Sequence, residues 1–332
     1  MTPTRFTTAG PAGPLACIRW TSPARRRPTA LLVHGTGFCA SVWDTIARDL
    51  ADDFDVVAFD RRGHGSSAKP DDAYDFDDFA DDVTAVVVAL GLDGALGIGH
   101  SAGGTDLLLA APRVPQAFAG LVVIEPTVMD PDDPTRDLST APGPTEESLA
   151  RLTQRRTTFP SRRAARDRLD GRGIFARWRP ELLDAYLHDA LELQPDGHVT
   201  LRCTPTIEGA MLRRIADAMN GTHPPTTFRC LRDIQCPVLV VTTEQSNARY
   251  LRMADAAERL IADTTIEHLP GVGHAVPQTA PERISTLSRQ FWRSTIAAPD
   301  PALTSPDRRC IDHLLAPSPS RPGEREMPRC RR

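Results

Sequence analysis

The feature that most constrains this chain is Gly99-His100-Ser101-Ala102-Gly103, set between an apolar run at residues 95–98 and a helix-forming run that starts at Gly104. Strand, tight turn and helix must follow one another within a few residues, so the positions flanking the serine have to be small, as Gly99, Gly103 and Gly104 are. Such a turn is strained. It lifts the serine hydroxyl clear of the sheet edge and points the start of the next helix at whatever the hydroxyl attacks. Ser101 is therefore the candidate nucleophile, and the backbone amide of Ala102 a candidate donor to an oxyanion. The pentapeptide alone has many chance matches; its strand and helix neighbours make it informative.

The rest of the chain repeats that rhythm. Short runs of Val, Leu and Ile at residues 30–33, 56–59, 95–98, 121–124 and 238–241 read as strands, with a last one at 265–269. Helix-period segments at 42–50, 76–90, 104–110, 250–261 and 281–292 lie between them. The alternation predicts an α/β fold, a mainly parallel central sheet with helices on both faces. From about 127 to 228 no strong strand candidate appears while Arg, Leu, Ala and Glu abound, which predicts an inserted helical lobe. The expected organisation is thus core at 1–126, helical cap at 127–228, core again at 229–296, and a Pro-, Ser- and Arg-rich tail at 297–332 read as disordered. Residues 130–144, rich in Pro, Asp and Thr, read as a hinge.

Two further loops sit where strands end. His34-Gly35-Thr36-Gly37-Phe38 follows the run at 30–33 and can turn a backbone amide, assigned to Thr36, toward the same point as that of Ala102. His34, at the strand end, suits a structural hydrogen bond better than a base. Near the other terminus, Gly271-Val272-Gly273-His274 follows the last strand, and its two glycines let His274 reach back over the sheet as general base. Phe38 can line the substrate pocket or pack in the core; Trp178, with Phe159, Phe175 and Tyr186 in the lobe, is a candidate for the pocket, with packing inside the lobe as the alternative and commoner role of such residues.

A formal net charge of −4 supplies no global positive field for nucleic acid or an anionic membrane. Seven scattered cysteines without C-x-x-C spacing predict neither a disulfide framework nor a metal site. No secretory leader and no apolar window of about 18 residues is read, so the expectation is a cytoplasmic protein acting on a small molecule, without cofactor, metal, nucleic acid or membrane. Its oligomeric state is left open. The acidic run at 71–78 and the arginine-rich run at 151–179 are read as solvated faces or as partners of one another.

Taken in order, these motifs resemble the α/β-hydrolase superfamily, in its capped serine-hydrolase form, over residues 28–292. Asp60-Arg61-Arg62-Gly63-His64-Gly65-Ser66 resembles the structural turn of that family that follows the strand before the helix at 76–90. The resemblance implies a Ser, acid, His chain order, with the acid in much of the family an Asp shortly after the strand at 238–241. Here that segment reads Thr242-Thr243-Glu244-Gln245-Ser246-Asn247, and Ser246 stands about where the Asp is expected. Two acids remain. Glu125 follows the strand after the nucleophile, an arrangement found in some members of the superfamily, and needs no change of strand register; Glu244 is the alternative.

The resemblance implies acyl transfer to water, on a carboxylic ester, thioester or lactone of a small, partly apolar molecule. A C–C bond hydrolase or a cofactor-free cyclase or decarboxylase would use the same residues. A ligand-binding homologue without turnover is the reading from another class.

Overall fold

The computed structural model describes residues 2–20, 27–133, 144–219 and 226–296. The described residues belong to a unit spanning Met1–Ile296. The tail at 297–332, expected to be disordered, lies outside the described residues, as does most of the expected hinge.

The core begins with β1 (Thr4–Gly10), β2 (Gly13–Trp20), β3 (Thr29–Val33), β4 (Asp55–Phe59), β5 (Ala95–His100) and β6 (Phe118–Ile124). The lobe carries β7 (Thr158–Phe159), β8 (Leu191–Leu193) and β9 (Val199–Leu201); the core resumes with β10 (Val238–Thr243) and β11 (Thr264–Leu269). The main sheet has eight strands in the order β1-β2-β4-β3-β5-β6-β10-β11. From β4 to β11 neighbours are parallel, while β1 and β2 join as an antiparallel hairpin. The chain leaves β3 first to one side, for β4, and then to the other, for β5. A crevice opens at such a switch point, beyond the carboxyl ends of the strands.

Side chains alternate between the two faces. Leu31, Val33, Val57, Phe59, Leu121, Val123, Val238 and Val240 pack with α2 (Phe76–Leu90), α3 (Ala102–Ala110) and α8 (Arg249–Leu260). Ala30, Leu32, Val56, Ala58, Leu96, Ile98, Val122 and Val241 pack on the other face with α1 (Asp44–Leu50), α9 (Val276–Thr279) and α10 (Pro281–Phe291). Burial on both faces is why the central strands read as continuous apolar runs rather than as alternating ones. Helix α2 starts at a capping box between Asp75 and Asp78 and stops at Gly91, whose φ of 59° a residue with a Cβ resists. Its Phe79, Ala80, Val83, Val86 and Val87 form the buried face.

The lobe contains α4 (Glu146–Thr153), α5 (Arg162–Leu169), α6 (Pro180–Ala190) and α7 (Pro205–Met219). It departs from the all-helical expectation, since β7, β9 and β8 pair as a three-stranded antiparallel sheet. Strands of two or three residues show no periodicity, so nothing in the sequence marks them. The β1–β2 hairpin is also absent from the sequence reading. β1 is an edge strand whose residues alternate only between half-buried and exposed, with three threonines and little apolar content. The acidic and arginine-rich runs do not pair with each other: Asp75, Asp77 and Asp78 bind Arg214, Arg113 and Arg62, and Arg155 binds Glu208 within the lobe.

Candidate active site

Ser101 follows β5 and caps α3 with φ 53° and ψ −123°, a conformation that residues with a Cβ rarely adopt. Its amide donates to Ile124 O at 2.8 Å, tying the turn to the end of β6. The neighbouring glycines are sterically required. A Cβ on Gly103 would lie 2.3 Å from Val33 O, and one on Gly99 would lie 2.5 Å from Gly104 Cα. Ala102 is the first residue of α3, so its amide has no acceptor within the helix and carries the positive end of the helix dipole.

Glu125 follows β6 with φ 47°, and its side chain is fully buried. A carboxylate so placed needs every oxygen satisfied. Oε1 accepts from the Thr243 amide at 3.0 Å and from Thr243 Oγ1 at 2.6 Å; Oε2 accepts from Ser246 Oγ at 2.7 Å and from His274 Nδ1 at 2.6 Å. Of the two acids, the structure brings Glu125 to His274. Glu244 is exposed and accepts from the Gly271 amide at 2.6 Å, bracing the loop rather than the imidazole. With Nδ1–H donated to Glu125, the Nε2 of His274 is left as an acceptor.

The loop of Thr36 is held by the turn at 60–66. His34 donates Nδ1–H to Gly35 O at 2.8 Å and accepts the Arg61 amide on Nε2 at 3.0 Å. His64 accepts the Gly37 amide on Nε2 at 2.9 Å. Burial, with Arg61 nearby, pushes His34 down to about 3, so it stays neutral and structural. Arg61 bonds both oxygens of Asp106 on α3 and donates to Thr36 Oγ1 at 3.4 Å, linking the loop to the helix behind Ser101. Burial raises Asp106 to about 6 against the pull of that arginine.

Thr36, Ser101 and His274 line a cavity of about 210 Å³ together with Glu208, Arg249 and Tyr250. A larger, more open hollow of about 450 Å³ on the His274 loop is lined by Gly173, Arg177 and Gln245, and Ser101 is not part of it. Phe38 and Trp178, expected in the substrate pocket, line neither. Phe38 stacks on His100 with ring centroids 6.1 Å apart and meets Trp178 edge-on at 5.2 Å; Phe175 and Tyr186 complete the cluster. Their apolar area is spent on one another, fastening α6 to the Thr36 loop, where Tyr186 Oη donates to Gly37 O at 3.3 Å. Phe159 is likewise buried in the core.

Tyr250, by contrast, was not singled out by the sequence. Its ring lies parallel to that of His274, centroids 4.7 Å apart and planes 17° apart, and its hydroxyl stands 3.5 Å from Nε2. It appears in the sequence only as the start of a predicted helix.

The family model for the alpha/beta hydrolase family matches residues 30–287. The chain belongs to the alpha/beta hydrolase family. Over 258 residues this α/β-hydrolase is 27% identical to the 2-(acetamidomethylene)succinate hydrolase of Mesorhizobium japonicum, covering 77% of this chain and 84% of the relative. A bifunctional esterase/perhydrolase of Acinetobacter calcoaceticus is 40% identical over 109 residues, which is 32% of this chain and 40% of the relative. Among solved structures, an E-2-(acetamidomethylene)succinate hydrolase has the same fold, with a TM-score of 0.70 at 22% identity over 88% of this chain and 100% of that one. No helix of the described residues is long and apolar enough to cross a membrane.

Proposed function

We propose that this α/β-hydrolase is a serine hydrolase that opens a carboxylic ester, thioester or lactone of a small molecule through an acyl-enzyme. The observation that carries the reading is the 2.6 Å contact between His274 Nδ1 and the buried Glu125, on the strand next to the one that presents Ser101. A serine hydroxyl is a weak nucleophile until a base takes its proton. In the proposed reaction His274 Nε2 accepts the Ser101 proton as Oγ attacks the carbonyl carbon, and the imidazolium is stabilised by Glu125. The amides of Thr36 and Ala102 hold the oxyanion. His274 then returns the proton to the leaving group; water, deprotonated by the same nitrogen, attacks the acyl-enzyme and releases the acid and Ser101.

The names of the relatives support hydrolysis at a carbonyl carbon without choosing the leaving atom. One is an esterase/perhydrolase, and the other acts on a succinate bearing an acetamido group. Amides therefore stand beside esters as candidate substrates, and both begin with the same attack.

Labelling with a fluorophosphonate probe, followed by mapping of the adduct, tests the reading. The adduct is expected on Ser101 and absent from Ser101→Ala. Folded wild-type protein without an adduct on Ser101 would refute it and favour a binding protein without turnover.

A further inference from the structure

We infer that the cavity beside Ser101 takes a substrate that carries a free carboxylate, and that Arg249 is the residue that binds it. The inference rests on the serine-hydrolase reading and adds to it the substrate class.

Arg249 opens α8 and lines the same cavity of about 210 Å³ as Ser101 and His274. Its guanidinium lies over the Tyr250 ring, 5.1 Å from the centroid. A cation at the first position of a helix is opposed by the helix dipole, and α8 has no acidic residue in its first turn to offset it. Local helix energetics therefore give no reason for this residue.

The neighbouring charges are already committed. Glu208, the carboxylate that shares the cavity lining, gives both oxygens to Arg155, one of them at 3.4 Å. Glu125 lies behind His274, with its oxygens occupied by four donors. Nearby arginines have carboxylates of their own: Arg61 has Asp106, Arg62 has Asp82 and Arg214 has Asp75. No ion pair within 4.0 Å joins Arg249 to an acid among the described residues. Arg249, half-buried and hydrogen-bonded to the Tyr250 side chain, lines the cavity of Ser101 without a counter-ion among the described residues, which leaves its charge to be met by what enters the cavity.

The fork of an arginine matches the two oxygens of a carboxylate, and such charge-assisted pairs are about twice as strong as neutral hydrogen bonds. The space equals about seven waters at roughly 30 Å³ each, which limits the ligand to a small molecule. A short dicarboxylic acid, with one carboxyl esterified or amidated and the other free, sets its carbonyl at Ser101 and its anion at Arg249.

The test compares the mono(para-nitrophenyl) ester of adipic acid with a neutral isostere in which an isopropyl group replaces the carboxylate. The ratio of kcat/KM, acid ester over neutral, is expected to fall about 30-fold in Arg249→Gln, mainly through KM, and to recover in part in Arg249→Lys. An unchanged ratio would overturn the assignment. If wild type turns over neither ester, the fluorophosphonate adduct on Ser101 decides the serine reading, and calorimetry with free adipate decides on Arg249. Binding to wild type that is lost in Arg249→Gln supports the carboxylate site; no binding, or binding unaffected by the substitution, removes it.

Discussion

Ser246 Oγ donates to Glu125 Oε2 at 2.7 Å, the same oxygen on which His274 closes. On the resemblance drawn from the sequence, Ser246 stands about where the Asp of much of the family is expected. A carboxylate there would face Glu125 across a hydrogen-bond distance, and two like charges so close cannot both ionise cheaply. The short hydroxyl and the glutamate on the neighbouring strand are therefore complementary: one residue withdraws so that the other can serve the imidazole.

Replacement of Glu125 by Gln should lower kcat on an activated aryl ester by about 10³-fold or more, because the amide no longer stabilises the imidazolium. Glu244→Gln should cost less than about threefold. Steady-state kinetics of the two variants decide the matter, and the opposite ranking would transfer the acid to Glu244.

Ser246→Asp gives a complementary result. In the wild-type background it should lower activity, by crowding Glu125 with a second carboxylate. In the Glu125→Gln background it should raise activity about tenfold over that variant alone, since an acid is again within reach of His274. Failure of the double variant to exceed Glu125→Gln would argue against the two positions being interchangeable.

Gly103→Ala should cost about 3 kcal/mol or prevent folding, because its Cβ would stand 2.3 Å from Val33 O, which the sheet cannot move. Gly91→Ala is the control: a Cβ there meets no atom within 4 Å, and only the left-handed φ of 59° is strained, for about 1 kcal/mol. Urea unfolding of the two should separate them, and equal losses would contradict the close packing behind Ser101.

Acid should destabilise the fold through its buried histidines. Burial holds His34 near 3 against an ordinary 6.5, and His64 and His100 are also pushed well down by burial. Between those limits the unfolded chain binds protons that the native chain refuses, so unfolding takes up protons and stability falls as pH falls below 6.5. Buried Asp106, raised to about 6, binds a proton more readily in the native state and offsets part of this fall, so the diagnostic is the difference in slope: urea midpoints measured from pH 7.5 down to about 4.5 should fall less in His34→Asn than in wild type, whatever the effect at neutral pH. Parallel slopes for wild type and His34→Asn would show that His34 is not held neutral.

Where a structural property is local, it was legible in the sequence. Strands buried on both faces, such as β3 and β10, appear as unbroken apolar runs, and the turn at Ser101 as a cluster of glycines. The half-exposed β1 and the very short β7, β8 and β9 carry no such signature. Sequence favoured Glu125 over Glu244 only through the strand register it leaves unchanged: both follow strands at the same sheet edge, and the difference lies in which side chain reaches His274. Phe38 and Trp178 were ambiguous for a related reason: an aromatic side chain looks the same in sequence whether it faces a ligand or another ring. Tyr250 and Arg249 come to the site through the path of the loop after β10, which no spacing encodes.

In the proposed mechanism the acid follows β6, so proton transfer would depend on neighbouring strands locked by Ser101 N–H to Ile124 O and Glu125 N–H to Val241 O, both at 2.8 Å. The turn that follows Ser246 is relieved of that duty. Asn247 and Ala248 are exposed, and substitutions there would tune Arg249 over the cavity while Ser246 on one side and Tyr250 on the other keep their places at Glu125 and His274. On the proposed roles, reactivity and selectivity are written on separate stretches of chain, and a laboratory seeking a new substrate for this scaffold would diversify residues 247–249 first.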